Sequence, residues 1–322
     1  MELIRGQHNV QPDHRGCVAT IGNFDGVHLG HQAILAQLAE QAARLRLPRL
    51  VITFEPQPQE FFAGPNAPPA RLMRLREKLL ALDGLGIERV LCLRFDHRLA
   101  AIPAQTFIED LLVAQLGIRY LVVGDDFRFG HRRAGDFAML VAAGQRHGFT
   151  VSNTQTYLVD SARVSSTRIR QALGQGDLEQ AARLLGRPYD MCGRVAYGEQ
   201  RGRTIGFPTA NIHLHRRVTP LYGVYAVLMS GDNLPPWPGI ANVGRRPTVA
   251  GNDERLEIHL LDYQGDLYGK RVKVDFLHYL RPEQRFASLE ALRQQIQQDE
   301  DIARRYFATQ GILSPSAGRG PE

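Results

Sequence analysis

The stretch Cys17-Val-Ala-Thr-Ile-Gly-Asn-Phe-Asp-Gly-Val-His-Leu-Gly-His31 decides how this chain is read. Cys17–Ile21 is a short apolar run and predicts a buried strand. Gly22, Gly26 and Gly30 punctuate the segment after it, and His28 and His31 stand among them. From His31 to Leu47, the residues Ile34, Leu35, Leu38, Ala42 and Leu45 recur at helical spacing. The order is strand, glycine turn with imidazoles, helix. It delivers ring and backbone N–H groups to the positive end of a helix, where a phosphate is favoured.

Three readings of His28 and His31 are open at this level. As a metal pair they lack a third ligand nearby. As structural residues they cap the helix. As donors to a phosphate they suit the flanking glycines, which let the backbone approach closely. Asp25 would repel a phosphate, so it either fixes the turn or helps hold Mg2+.

Working outward, the N-terminal half alternates strand and helix patterns. Strands are expected at Leu50–Phe54, Arg89–Leu93, Tyr120–Val123 and from Thr150; helices at Arg74–Leu85, Pro103–Leu116 and Phe137–His147. This predicts an α/β domain with a doubly wound parallel sheet, whose ligands bind where the strand order switches. Gly22 and Gly124 each follow a strand, so their loops are expected to line one crevice. Pro56–Pro69 reads as a mobile loop, either a flap or ordinary surface. After Gly124, Asp125 or Asp126 faces the crevice. Phe127 and Phe129 are core residues or walls for a planar ring. Arg128, His131, Arg132 and Arg133 are ligand-facing charge or a solvated run. Ser165-Ser-Thr-Arg-Ile-Arg170 places hydroxyls and arginines at a helix start, where the dipole disfavours positive charge unless an anion is bound.

From Met191 the grammar changes to short apolar runs separated by turns, at Gly193–Tyr197, Gly223–Met229, Gly239–Val243, Leu256–Leu261 and Arg271–Tyr279. A small antiparallel β-barrel is expected, closed by an amphipathic helix at Leu289–Phe307. The dense motif Gly198–Asn211 ends in a Pro-Thr-Ala-Asn turn, and no GxxxxGK[ST] loop occurs in the chain. Thr209 and Asn211 offer neutral oxygens that suit Mg2+. Alternation puts Glu257 and His259 on one strand face, which either meets solvent or places a general base in the barrel mouth.

The 322 residues exceed one ordinary core. We expect domains at 1–185 and 186–312 and a disordered tail at 313–322. Lys and Arg total 39 against 33 acidic residues, a net charge of +6 that suits small anionic substrates better than nucleic acid. Cys17, Cys92 and Cys192 are scattered, without a CxxC pair, which suggests neither a disulfide framework nor a zinc site. Apolar runs fall short of the roughly 20 residues a membrane helix needs. Met1-Glu-Leu-Ile-Arg lacks a leader pattern. A cytoplasmic protein without membrane, nucleic-acid or obligate protein partner is expected.

The His28-Leu-Gly-His31 segment resembles the HxGH signature of the nucleotidyltransferase superfamily. With Val123-Gly-Asp-Asp-Phe-Arg-Phe-Gly130 and Ser165–Arg170 it resembles the adenylylating half of the bacterial bifunctional riboflavin kinase/FAD synthetase family. The second half is similar to the riboflavin kinase module, through Gly206-Phe-Pro-Thr-Ala-Asn211, Tyr222–Tyr225, Gly239–Thr248, Glu257–His259 and Asp266–Lys270. The resemblance implies two reactions, riboflavin plus ATP to FMN and FMN plus ATP to FAD, with Mg2+. It implies catalysis by His28, His31 and Glu257. It assigns nucleotide and phosphate contacts to Gly22, Phe24, Gly30, Asp126, Ser166, Thr167, Arg170, Gly206 and Thr209. Mg2+ falls to Thr209 and Asn211, and flavin contacts to Tyr222, Gly223 and Arg246. A different acceptor, or a flavin-binding regulator, is the competing reading.

Overall fold

The computed structural model describes the chain except residues 65–68, 125, 155, 198–205, 217, 232–233, 249–250 and 314–322, together with the side chains of 245–248 and 251–253. The chain forms two compact units, Met1–Pro69 with Met73–Ser166, and Ala70–Leu72 with Thr167–Glu322.

The first unit is a six-stranded sheet of β1 (Glu2–Arg5), β2 (Val18–Ile21), β3 (Arg49–Glu55), β4 (Arg89–Arg94), β5 (Tyr120–Gly124) and β6 (Thr150–Thr154). The strands run in the order β1-β4-β3-β2-β5-β6, every pairing parallel. The chain winds from β2 one way to β3 and β4, then returns to the other side of β2 for β5 and β6. The switch therefore lies between β2 and β5, where the expected crevice belongs.

Both faces of this sheet are covered. Ala19, Ile21, Leu50, Ile52, Leu91, Leu121 and Val123 face Phe107, Ile108, Leu111, Leu112, Leu140 and Ala143. Val18, Val51, Val90 and Val122 face Leu35, Leu38, Ala42 and Leu82. Burial on both faces explains why these strands read as continuous apolar runs rather than alternating ones. The expected helix at Pro103–Leu116 is a short turn, Ala104–Thr106, running into a π-helical stretch, Phe107–Gln115. The Pro56–Pro69 loop contains a helix, Pro58–Ala63, whose start is closed by Gln57 and Glu60. Strand β1 and a small hairpin, β7 (Leu158–Val159) with β8 (Ala162–Arg163), add to the elements expected from sequence.

The second unit is a closed antiparallel barrel of β9 (Tyr189–Ala196), β10 (Ala210–His213), β11 (Gly223–Gly231), β12 (Leu234–Thr248), β13 (Gly251–Leu260) and β14 (Arg271–Arg281). Asn211 stands within β10, paired on both sides, rather than in a turn. The helix Leu289–Thr309 starts on a Ser288 cap and lays Ala303 and Phe307 on the outer wall against Val224, Ala226 and Ile240. A bidentate pair, Arg281 Nε to Asp299 Oδ1 at 2.8 Å and Nη2 to Oδ2 at 2.7 Å, holds that helix to the end of β14. Helix Leu178–Leu185 packs on β9 and β14. Segment Ala70–Leu72 is held by Arg170 Nε on Ala70 O at 2.6 Å, Arg216 Nη1 on Arg71 O at 2.8 Å and Tyr189 OH on Leu72 O at 3.0 Å.

Candidate active sites

The turn after β2 begins with Gly22 N still donating to Ile52 O at 3.0 Å, so the loop leaves the sheet as part of it. Phe24, Gly26 and Val27 then take left-handed conformations at φ 48°, 87° and 42°. Such a conformation is costly for a β-branched residue and persists only where its surroundings impose it. Here they do. The Asp25 carboxylate accepts from Met73 N at 3.0 Å, Asp25 O accepts from Ser166 Oγ at 2.9 Å, and Val27 O accepts from Gln32 Nε2 at 2.9 Å. Asp25 is buried, and of its two expected roles the contacts show the turn-fixing one.

His28 is the N-cap of helix Leu29–Leu45, its Nδ1 accepting from His31 N at 3.3 Å. In a neutral ring that bond leaves the proton on Nε2. The two imidazoles stack at 3.6 Å between centroids and 14° between planes. Phe24, itself buried in the core, backs His31 with ring centroids 5.0 Å apart, so it supports the site by packing. A Cβ on Gly30 would lie 3.3 Å from the His28 ring, and one on Gly22 would lie 3.2 Å from the Phe24 ring. Burial, then the neighbouring His28 and Lys78, hold the His31 imidazole well below its ordinary value, so it is neutral at pH 7. His31 Nδ1 is buried without a hydrogen-bond partner among the described residues.

The other first-unit candidates fall into place separately. Asp126 carries an exposed carboxylate 2.8 Å from Arg163 Nη2. Phe127 and Phe129 stack at 5.5 Å and belong to the core. Arg128 pairs with Asp136 at 3.5 Å, and Arg132 and Arg133 are exposed, which is the solvated reading of that run. Ser166 opens helix Ser166–Gly174, on which Thr167 is exposed and Arg170 half-buried. Asp125 and residues 198–205 of the glycine–arginine motif lie outside the described residues.

In the barrel, register builds the site. Glu257 on β13 stands directly opposite Asn211 on β10 and Asn242 on β12, and Asn242 is opposite Val224 on β11. Direct partners share a face. Val224 packs under the outer helix, so Glu257 shares the outward side of the wall. Asn242 Nδ2 donates to Glu283 Oε1 at 3.4 Å. Asn211 Nδ2 donates to Thr209 O at 3.4 Å, and His259 Nδ1 lies 2.9 Å from Pro208 O. A cavity of about 90 Å³ is lined by Thr209, Ala210, Ile258, Tyr263, Asp266 and Tyr268. Tyr222 OH donates to the buried Glu254 at 2.8 Å. Gly223 has φ 125°, and a Cβ there would meet Arg281 O at 2.7 Å. Gly206 also has a left-handed φ, 89°, and is exposed. The Arg246 side chain lies outside the described residues.

Two residues beside these sites escape a reading of the sequence as chemistry. Asn242 sits inside the Gly239–Thr248 motif, and register across strands has no periodic signature to single it out. Lys78 does leave a signal: it stands four residues before the buried Leu82, on the stripe of helix Leu75–Gly84 that faces the core.

Residues 10–168 match the FAD synthetase family and residues 185–307 the Riboflavin kinase family. A bifunctional riboflavin kinase/FMN adenylyltransferase of Escherichia coli (strain K12) is 53% identical over 98% of this chain and 100% of its own length. The chain belongs to the bifunctional riboflavin kinase/FMN adenylyltransferase family. A Pseudomonas fluorescens member of this family is also 53% identical, over 99% of the chain and 100% of its own length. A solved Streptococcus pneumoniae structure titled a macrolide-efflux protein shares the architecture, with a TM-score of 0.81 and 30% identity over 94% of this chain and 99% of that one. Among the described residues, no helix is long and apolar enough to cross a membrane. The histidine turn falls in the first of the two family matches and Glu257 in the second.

Proposed function

We propose that the barrel phosphorylates riboflavin to FMN with ATP and that the parallel-sheet unit adenylylates FMN to FAD, releasing pyrophosphate. The observation that carries this reading is the histidine pair, stacked and capping a helix at the sheet's switch point, in the half that matches the FAD synthetase family.

In the second step an FMN phosphate oxygen attacks the α-phosphorus of ATP, and the bond to the β-phosphate oxygen breaks. No covalent intermediate with the protein is needed, so catalysis is positioning and charge stabilisation. We assign donation to the α-phosphate to His28 Nε2–H and to His31. Gly22 and Gly30 allow close approach, while Ser166, Thr167 and Arg170 hold the departing phosphates. In the first step the riboflavin 5′-hydroxyl oxygen attacks the γ-phosphorus, Glu257 takes the proton, and ADP leaves. Gly206 and Thr209 face the nucleotide, and Tyr222, Gly223 and Arg246 the flavin.

Among the described residues, no group of three or more His, Cys, Asp or Glu is placed to hold a metal. The donor set at Thr209 and Asn211 is neutral oxygen, which fits Mg2+ completed by phosphate and water. Such an ion would neutralise charge on the phosphates. The functional domains are taken as 1–185 and 186–312, which the family limits support.

The test is a one-pot assay with riboflavin and Mg-ATP, products separated by chromatography. FMN followed by FAD is expected. FMN alone would refute the second activity.

A further inference from the structure

The peptide group that joins Leu72 to Met73 is held on both of its edges. Its oxygen, Leu72 O, accepts from Tyr189 OH at 3.0 Å and from Arg216 Nη1 at 3.3 Å. Its N–H, that of Met73, donates to Asp25 Oδ1 at 3.0 Å. Arg216 Nη1 also donates to Tyr189 OH at 3.0 Å and to Arg71 O at 2.8 Å, so guanidinium, phenol and carbonyl form one connected set. Tyr189, Arg216 and Asp25 are all buried. A peptide unit is planar and trans, with its C=O and N–H pointing in opposite directions, so fixing the oxygen fixes the direction of the N–H. Tyr189 and Arg216 therefore set how that N–H meets the Asp25 carboxylate.

Asp25 belongs to the turn that carries His28, three residues further on. Phe24, Gly26 and Val27 around it are left-handed, and a turn of that kind holds only where its surroundings over-determine it. The bonds from Met73 N and Ser166 Oγ to Asp25 are part of what does so. A guanidinium on the carbonyl side polarises the peptide and strengthens its N–H as a donor to the carboxylate. We infer that Tyr189 and Arg216 are positioning residues for adenylyl transfer, acting on the His28–His31 turn through the Leu72–Met73 peptide and Asp25. This rests on the reading of the histidine pair given above. Tyr189 opens β9 and Arg216 follows β10, so neither is near the histidines in sequence.

The test is Tyr189→Phe, which removes one oxygen and keeps the ring beside Phe276, with Arg216→Leu as a companion, both in the full chain. In Tyr189→Phe the kcat of FAD formation from supplied FMN should fall about tenfold, less than the roughly 10²-fold that a 1 Å misplacement costs. Arg216→Leu should lower it further. FMN formation from riboflavin should be unchanged in Tyr189→Phe, which is not among the residues assigned to that reaction. Amide hydrogen exchange, followed by mass spectrometry, should become faster over residues 22–31 while strands β11 to β13 keep the parent's protection. A tyrosine that only packs its own strand would leave exchange in the turn as it is. Added to Asp25→Asn, Tyr189→Phe should cost less than it does in the parent, because both act through one peptide. FAD formation by Tyr189→Phe within about twofold of the parent, unchanged exchange in the turn, equal loss of both activities, or independent, multiplying effects with Asp25→Asn would each overturn the inference. If the parent itself makes no FAD, the functional reading fails instead, and the exchange comparison still decides whether Tyr189 and Arg216 hold the turn.

Discussion

His28 and His31 stand on a strained turn between a parallel strand and a helix, whereas Glu257 stands inside an antiparallel strand of a closed wall. The turn keeps its shape through bonds from residues far along the chain, Met73 and Ser166. The wall keeps its shape through register, which lines up Asn211, Glu257 and Asn242 without special backbone angles. The first site is therefore vulnerable at glycines and pinning residues, the second wherever the ladder is disturbed.

The largest effects separate the two sites outright. His28→Ala with His31→Ala should lower FAD formation from FMN by about 10³-fold or more and leave riboflavin phosphorylation intact. Glu257→Gln should lower FMN formation by about 10²- to 10⁴-fold and leave adenylylation of supplied FMN intact. Steady-state assays of each half-reaction check both.

Next come the glycines. Gly223→Ala combines a φ of 125° with a Cβ 2.7 Å from Arg281 O. It should destabilise the barrel by roughly 2–3 kcal/mol in denaturant melts. Gly30→Ala places a Cβ 3.3 Å from the His28 ring without a left-handed φ. It should cost about tenfold in FAD formation by displacing the imidazole, with little change in the melting temperature.

The pH dependence of stability has a defined sign. The folded His31 resists protonation, whereas the unfolded chain protonates near the ordinary 6.5. Below that pH the unfolded state binds the extra proton, so stability falls as pH falls. Melting temperatures between about pH 5 and 8 should show this slope, and His31→Phe should flatten it. The smallest effect is expected at Asp126→Ala. Its pair with Arg163 is exposed on both sides, so the stability change should stay within about 1 kcal/mol in a denaturant melt.

This contrast also governs what the sequence makes legible. Strands β2 to β5, buried on both faces, announce themselves as unbroken apolar runs. Strand β1 does not, because Ile4 is its only buried residue. Strand β10 spans four residues and is secured by partners at distant positions, so no local pattern marks it. The shared face of Glu257 and His259 follows from alternation, but its outward side depends on the helix Leu289–Thr309 lying against that wall. His28 and His31 are legible as chemistry. The role of Asp25 beside them depends on contacts with Met73 and Ser166, tens of residues further along the chain.

The most direct test of two consecutive activities in one chain is a mixing experiment. Riboflavin and Mg-ATP are given to the His28→Ala/His31→Ala protein, to the Glu257→Gln protein and to both together, and FAD is measured. The account predicts that neither variant alone makes FAD from riboflavin at an appreciable rate, and that the mixture does. FAD produced from riboflavin at the parent rate by either variant alone would contradict it.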